Sequence, residues 1–378
     1  MSENRKVLVL SYEFPPLGGG GAKVVAGLTN QMLKAGYTFD IVTMGYRGLP
    51  RKEEQDGVTI YRVPCVRLKQ SMCYFPEMIP YLCMALPLVL RLVKKNNYIL
   101  NHTHFIFPDG VLACLVKIFK KLPFIVTAHG SDVPGYNPDR FKLLHVLLRP
   151  FWKFITRRAD TIICPSAVIE KLIHKNNPTA VTQVIPNGID IDRFDPYRKK
   201  DAKALAVTRL FERKGIQYFL QAHHELGLEY EVNIVGDGMY YDTLRRLVTD
   251  MEIKANLLGF IDNTSDELKE LYETSSIFVF PSEAENFPIC LLEAMVAGCA
   301  IITTKNTGCA EVVGDTALLV EPRNSEDIKD AYQKLIEEDS FRKELGQRAR
   351  KRVEDLFSWD RVRNDTDLLY QRIRIDTK

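Results

Sequence analysis

Short runs of β-branched and aromatic residues alternate along the chain with stretches of helical period, and this alternation organises everything else. In the first half Lys6–Ser11, Thr38–Thr43, Val58–Val63, Phe124–Ala128, Thr161–Cys164 and Gln183–Ile185 read as strands. In the second half Ala204–Thr208, Glu231–Val235, Asn256–Phe260, Ile277–Phe280, Ala300–Thr303 and Ala317–Val320 do the same, with helical segments such as Ser325–Glu338 between them. Strand, helix, strand repeated in this way predicts an α/β protein with two open, mostly parallel sheets. Between the halves, Pro186-Asn187-Gly188-Ile189-Asp190 and the polar stretch from Pro196 to Lys200 are dense in turn residues. The domain boundary is therefore placed at residue 188, giving domains 1–188 and 189–356. The last segment, Phe357 to Arg374, is helical and free to pack on either.

A length of 378 residues agrees with two cores rather than one, and 46% hydrophobic with 26% charged residues is ordinary for a folded protein in water. The eight cysteines stand singly in apolar surroundings and read as buried thiols of a reducing compartment. The polar start, Met1 to Lys6, runs straight into a strand, so no secretion signal is expected. The longest apolar run, Met78 to Leu90, is broken by Pro80 and Pro87, so no membrane span is expected and a cytoplasmic location is. Net charge changes the picture more. Residues 1–190 carry 24 Lys/Arg against 13 Asp/Glu and the remainder 27 against 35, so a small total of +3 conceals halves of +11 and −8. A basic first half suits an anionic surface or a phosphorylated acceptor. No nucleic-acid reading motif organises those cations.

Three places could carry chemistry. After the first strand, Gly18-Gly19-Gly20-Gly21 opens a helix near Lys23, and is either a turn that presents backbone N–H groups to a phosphate or sugar, or simply a flexible connection. Arg209 and Lys214 follow the first strand of the second half, at the edge where such sheets place ligands, and together can neutralise a diphosphate leaving group. Glu285-Asn286-Phe287-Pro288-Ile289 precedes a helix whose N–H groups suit an anion, and Glu293 within it can accept two hydrogen bonds from a ribose diol. Paired carboxylates could also serve a glycosidase, but hydrolysis has no use for the Arg209/Lys214 pair.

Glu285 and Glu293 eight positions apart, together with Arg209, Lys214-Gly215, Gly236-Asp237-Gly238 and Ile185-Pro186-Asn187-Gly188-Ile189-Asp190, resemble the retaining glycosyltransferases of family 4 over nearly the whole chain. The resemblance implies a GT-B fold: two Rossmann-like β/α/β domains facing each other across a cleft, an N-terminal acceptor domain, a C-terminal nucleotide-sugar donor domain, and a last helix (357–378) crossing back to the first. It implies that Arg209 and Lys214 hold the donor phosphates and Glu293 the ribose. Glu285 and the segment Asn286, Phe287, Pro288 and Ile289 would hold the sugar, with Gly259 and Phe260 near the base. Gly20, Gly21 and Gly236 would line the donor site, and His129 would face the transferred sugar. Asn286, Ala300 and Gly308-Cys309 depart from the family's usual glycine, proline and double glycine, which bears on sugar identity.

By the same resemblance the enzyme moves a hexose or N-acetylhexosamine, from a UDP-sugar in preference to a GDP-sugar, to a glycolipid, polyprenyl-linked or polysaccharide acceptor. The nucleotide-sugar is a co-substrate, and neither metal nor other cofactor is expected. A nucleotide-sugar epimerase and a non-catalytic nucleotide-sugar-binding protein are the alternatives on the same fold. His102-Thr103-His104 reads as a rim of the acceptor site rather than a metal pair, and Asp190-Ile191-Asp192 as linker. The segment 141–158 places Phe141, Phe151, Trp152 and Phe154 among Lys142, Arg149, Lys153, Arg157 and Arg158. Either it packs on the sheet with a solvated basic side, or it lies on an anionic membrane.

Overall fold

A computed structural model describes residues 5–70, 72–136 and 142–376. The chain divides into two compact units, 1–188 with 359–378, and 189–358. The first unit runs β1 (Lys6–Leu10), α1 (Gly20–Lys34), β2 (Thr38–Met44), β3 (Lys52–Gln55), β4 (Val58–Val63), α2 (Phe75–Lys95), β5 (Leu100–His104) and α3 (Asp109–Lys120). It continues with β6 (Phe124–Thr127), α4 (Lys142–Thr156), β7 (Thr161–Cys164), α5 (Ala167–Asn176) and β8 (Thr182–Val184). The second unit runs β9 (Asp201–Val207), α6 (Ile216–Leu226), β10 (Glu231–Val235), α7 (Tyr241–Asp250), β11 (Ala255–Gly259), α8 (Asp266–Thr274) and β12 (Ser275–Phe280). Then come α9 (Ile289–Val296), β13 (Ala300–Thr304), α10 (Gly308–Val313), β14 (Leu318–Val320), α11 (Ser325–Glu337) and α12 (Asp339–Phe357). A final helix, α13 (Trp359–Asp376), belongs to the first unit.

The first sheet is ordered β3-β4-β2-β1-β5-β6-β7-β8 and is parallel except for the β3–β4 pair. The second, β11-β10-β9-β12-β13-β14, is parallel throughout. Strands covered on both faces should be apolar at odd and even positions alike, and β1 and β12 are. Val7 and Val9 of β1 face a core shared with α1 and α13, while Leu8 and Leu10 face one shared with α2 to α5. In β12, Phe278 and Phe280 point to one core and Ile277 and Val279 to the other.

The sequence pattern misses β3 and finds only the end of β5, at His102-Thr103-His104. β3 is wholly polar, Lys-Glu-Glu-Gln, and forms because Asp56-Gly57, both at positive φ, close a two-residue hairpin onto β4. β5 carries Asn101, His102 and His104 where an apolar run was sought, and all of its residues are buried. The prolines of α2 also fail to break it: 21 residues run through Pro80 and Pro87, because Tyr81, Ala85, Val89 and Leu92 dock one face on the sheet. That helix is long and apolar enough to cross a bilayer by length and composition, although this stripe lies in the core. Helix α1 begins at Gly20, a turn before Lys23. The cysteines are all free, but only Cys114, Cys164, Cys299 and Cys309 are buried; Cys83 is exposed and Cys65, Cys73 and Cys290 lie between.

Trp359 is one of the side chains that fasten α13 to the first unit. A Cβ on Gly27 of α1 would fall 2.4 Å from the Trp359 ring, and one on Gly188 2.2 Å from it, so both positions must lack a side chain for the indole to fit. Emptying or crowding this socket should be costly. Trp359→Ala is expected to lose about 3 kcal/mol and Gly27→Val about 2 kcal/mol, read from urea unfolding of the full chain. Unchanged midpoints for both would show that the socket contributes nothing.

Candidate active site

In a parallel sheet, connections leave neighbouring strands in opposite directions at one point, and the crevice beyond the carboxyl ends there receives ligands. In the first unit this point lies between β1 and β5, since the chain builds β1, β2 and β4 outward and then crosses to β5. The turn after β1 holds the glycines. Gly19 caps α1 without a side chain, and Gly20 and Gly21 are its first residues. A Cβ on Gly21 would meet Phe105 at 2.7 Å and come within 3.6 Å of His129 Nδ1, so the glycine turn, β5's end and the β6 loop converge. Asp132 fixes that loop: its carboxylate accepts from the N–H groups of His129 (3.0 Å), Gly130 (2.9 Å) and Ile106 (2.7 Å), and burial pushes its pKa up to about 6. Desolvation pulls His129 down to about 3, which keeps it neutral.

His102 and His104 do not form a rim. Both are buried, with rings stacked 4.3 Å apart. His102 joins the Tyr370 hydroxyl at 2.6 Å and Thr127 Oγ1 at 2.8 Å, and His104 Nδ1 lies 3.2 Å from His129 Nε2. Among the described residues no group of three or more His, Cys, Asp or Glu is arranged to hold a metal. Asp190 accepts from the N–H of Asp192, a local turn.

In the second unit the crossing point lies between β9 and β12. From β9 come Arg209, exposed with its guanidinium 5.7 Å from the Phe211 ring centre, and Lys214, buried on a single helical turn. From β12 come Ser282, Glu285 and the loop that enters α9. Lys214 Nζ forms an ion pair with Glu285, whose Oε1 also accepts from Ser282 Oγ at 2.7 Å. Asn286 and Phe287 are buried, Pro288 caps α9, and Ile289 begins it. Gly308 N donates to Glu285 O at 2.9 Å, and a Cβ there would fall 1.7 Å from Asn286 O, so only glycine lets α10 approach this loop. At the ends of β10 and β11, Gly236 N donates to Gly259 O at 2.7 Å. Phe260 beyond them is 73% exposed, an aromatic surface at the sheet edge.

Glu293, 2% exposed, is held by two partners absent from the sequence reading. Arg193 Nη1 donates to Oε1 at 2.7 Å and Tyr272 Oη to Oε2 at 3.0 Å, while the same guanidinium reaches Asn263 O. Burying a carboxylate without a partner is costly, and the ion pair with Arg193 offsets that cost. Arg193 lies in what reads as linker and Tyr272 in α8, 79 residues further on; a polar stretch following Asn187-Gly188 gives no cue that one member reaches a helix so distant in sequence.

Comparison with known proteins follows this geometry. The family described as Glycosyl transferases group 1 matches residues 189–352, and Glycosyltransferase Family 4 matches residues 18–193. A Bacillus anthracis N-acetyl-alpha-D-glucosaminyl L-malate synthase is 26% identical, with 97% of each chain covered. An uncharacterized glycosyltransferase of Methanocaldococcus jannaschii is also 26% identical, over 97% of this chain and 98% of its own. Among solved structures, sucrose-phosphate synthase from Thermosynechococcus elongatus superposes with a TM-score of 0.83 at 21% identity, covering 98% of this chain and 99% of its own. Anabaena HepE in complex with UDP-glucose gives 0.75 at 17%, covering 97% and 99%. The chain belongs to the family 4, group 1 glycosyltransferases and has the GT-B fold. It is therefore a glycosyltransferase that uses a nucleotide-sugar donor.

The Glu293 pair sets the first test of this site. Arg193→Met should destabilise the protein by about 3 kcal/mol because it removes the cation paired with a buried carboxylate. Adding Glu293→Gln should recover much of that loss in chemical denaturation. Additive losses would mean that the two side chains do not depend on each other.

Proposed function

We propose that this enzyme transfers a hexose or N-acetylhexosamine, with retention and without a metal, from a UDP-sugar to a glycolipid, polyprenyl-linked or polysaccharide acceptor. The observation that carries the donor half is the convergence of Lys214, Glu285 and α9 at the crossing point of the second sheet, with Glu293 paired to Arg193 just inside that helix. Arg209 and Lys214 supply the positive charge that a departing diphosphate needs. Glu285 and the α9 entry hold the sugar, and Glu293 the ribose. Gly236 and Gly259 leave room beside the exposed face of Phe260 for a base. By the family resemblance, His129 with Gly20 and Gly21 is assigned to the transferred sugar.

In a retaining transfer of this kind the bond from the anomeric carbon to the diphosphate oxygen breaks while one to the acceptor oxygen forms on the same face. The acceptor's proton passes to the departing diphosphate. No enzyme nucleophile is needed, so the protein acts by position and charge. Calorimetry with UDP, GDP and ADP tests the site. UDP should bind, and Lys214→Ala and Glu293→Ala should each weaken it about tenfold or more, the range of one charge-assisted hydrogen bond. Failure of all three to bind would remove the reading. Turnover of the sugar nucleotide without acceptor, giving an isomerised sugar, would favour the epimerase alternative.

A lipid-linked acceptor and a site on the inner face of the cell membrane draw support from one surface of the first unit. The ends of α3 and α4 adjoin, since Lys117 Nζ donates to Arg158 O at 2.8 Å. They expose Ile118, Phe119 (63%), Phe151 (55%) and Phe154 beside Lys120, Lys121, Arg157 and Arg158. Buried Trp152 instead faces inward and donates to Asp132 O at 3.0 Å. Phe141 and the Lys142 side chain lie outside the described residues. Apolar side chains ringed by cations match an anionic bilayer rather than a neutral one. The full chain should co-sediment with phosphatidylglycerol-containing vesicles at low salt and not with phosphatidylcholine alone, and Phe119→Ser with Phe151→Ser should abolish this. Equal sedimentation of the variant would discard the surface.

A further inference from the structure

The first unit buries two imidazoles for which sugar transfer, as described, has no task. His102 and His104 stand two residues apart on β5, so the pleat puts them on one face, with their rings stacked. His102 is held at both nitrogens, by Tyr370 of α13 and by Thr127 of β6. It can neither turn nor slide, and so forms a wall for its neighbour. His104 in turn presents Nδ1 to His129 Nε2 at 3.2 Å. Burial lowers all three imidazoles, His102 and His129 to about 3, so the cluster is neutral.

Two neutral imidazoles joined nitrogen to nitrogen hold a single proton between them. If it sits on His104 Nδ1, His129 Nε2 accepts and the remaining proton of His129 must be on Nδ1. If it sits on His129 Nε2, then His129 Nδ1 is a bare lone pair. That Nδ1 is the atom facing the glycine turn, since a Cβ on Gly21 would come to 3.6 Å of it. The first N–H groups of α1 point out of the same turn with no side-chain cap from Gly19. A ligand oxygen that accepts from those N–H groups gains from an adjacent Nδ1–H and is repelled by an adjacent lone pair.

We propose that His104 is a positioning residue for sugar transfer: braced by His102 and Tyr370, it donates to His129 Nε2 and so holds His129 with Nδ1–H directed at the glycine turn. This rests on the reading of His129 as a residue that faces the donor sugar, but it makes a separate claim about one proton. The chain contains seven histidines, few enough to assign by substitution after selective 15N labelling. Nitrogen shifts of the full-length protein should show His129 as the Nδ1–H tautomer. His104→Phe keeps the ring and removes the donor, and should shift His129 toward the Nε2–H form. His104→Asn places an amide N–H where Nδ1 was and should restore the original tautomer.

Release of UDP from UDP-glucose and from UDP-N-acetylglucosamine supplies the second readout. His104→Phe should lower kcat about tenfold with KM for the nucleotide sugar changed less than twofold, and His104→Asn should recover most of it. A purely structural role would instead depress both variants together and leave the tautomer alone. An Nε2–H signal for His129 in the unaltered protein overturns the proposal outright. Full activity of His129→Ala would overturn the reading beneath it while leaving the tautomer result standing, so the two failures are distinguishable.

Discussion

Parallel pairing obliges the chain to return over one face of the sheet after every strand, so each unit has one place where the direction of winding reverses. That constraint decides where chemistry can sit. Between β1 and β5 it gathers the glycine turn, Phe105 and the His129 loop; between β9 and β12 it gathers Lys214, Glu285 and the start of α9. Lys214 is far in sequence from Glu285, and the glycine turn is far from Phe105 and His129. The sheet order supplies the proximity, and tight backbone approaches at Gly21 and Gly308 supply the fit.

Charge is the second consequence. Lys214 and Glu293 are both almost inaccessible to solvent, where a charge without a partner is costly. Each is matched, Lys214 by Glu285 and Glu293 by Arg193, with Ser282 and Tyr272 filling further hydrogen-bonding positions. Such pairs contribute modestly to stability, because desolvation offsets most of their attraction. If they serve the proposed donor site, their value lies in orientation, because charges already placed need less reorganisation on binding.

The sequence makes legible whatever depends on local period or local turn chemistry. β10 and β7 run as the pattern has them, and most other strands differ by a residue or two. It also puts Arg209, Lys214 and Glu285 at strand ends. What it hides is decided by distant parts of the chain. The prolines of α2 look like breaks until the sheet beneath Tyr81, Ala85 and Val89 is known. β3 has no apolar signal, only the Asp56-Gly57 turn that closes its hairpin, and β5 conceals a strand behind polar letters because its histidines find partners on β6 and α13. Arg193 looks like a linker charge until α9 supplies Glu293.

The histidines show most clearly why residue type alone underdetermines role. An imidazole is donor at one nitrogen and acceptor at the other, and which is which depends on its neighbours rather than on itself. In water the three would titrate near neutrality and interchange their protons freely. Stacked, desolvated and pinned through Tyr370 and Thr127, they lose both freedoms. The helix that carries Tyr370 is itself fastened by Trp359 in its glycine socket on α1, the helix that begins with the glycine turn. The C-terminal helix thus bears on the histidine cluster and the glycine turn at two points, through the backbone it packs against and through the imidazole it bonds.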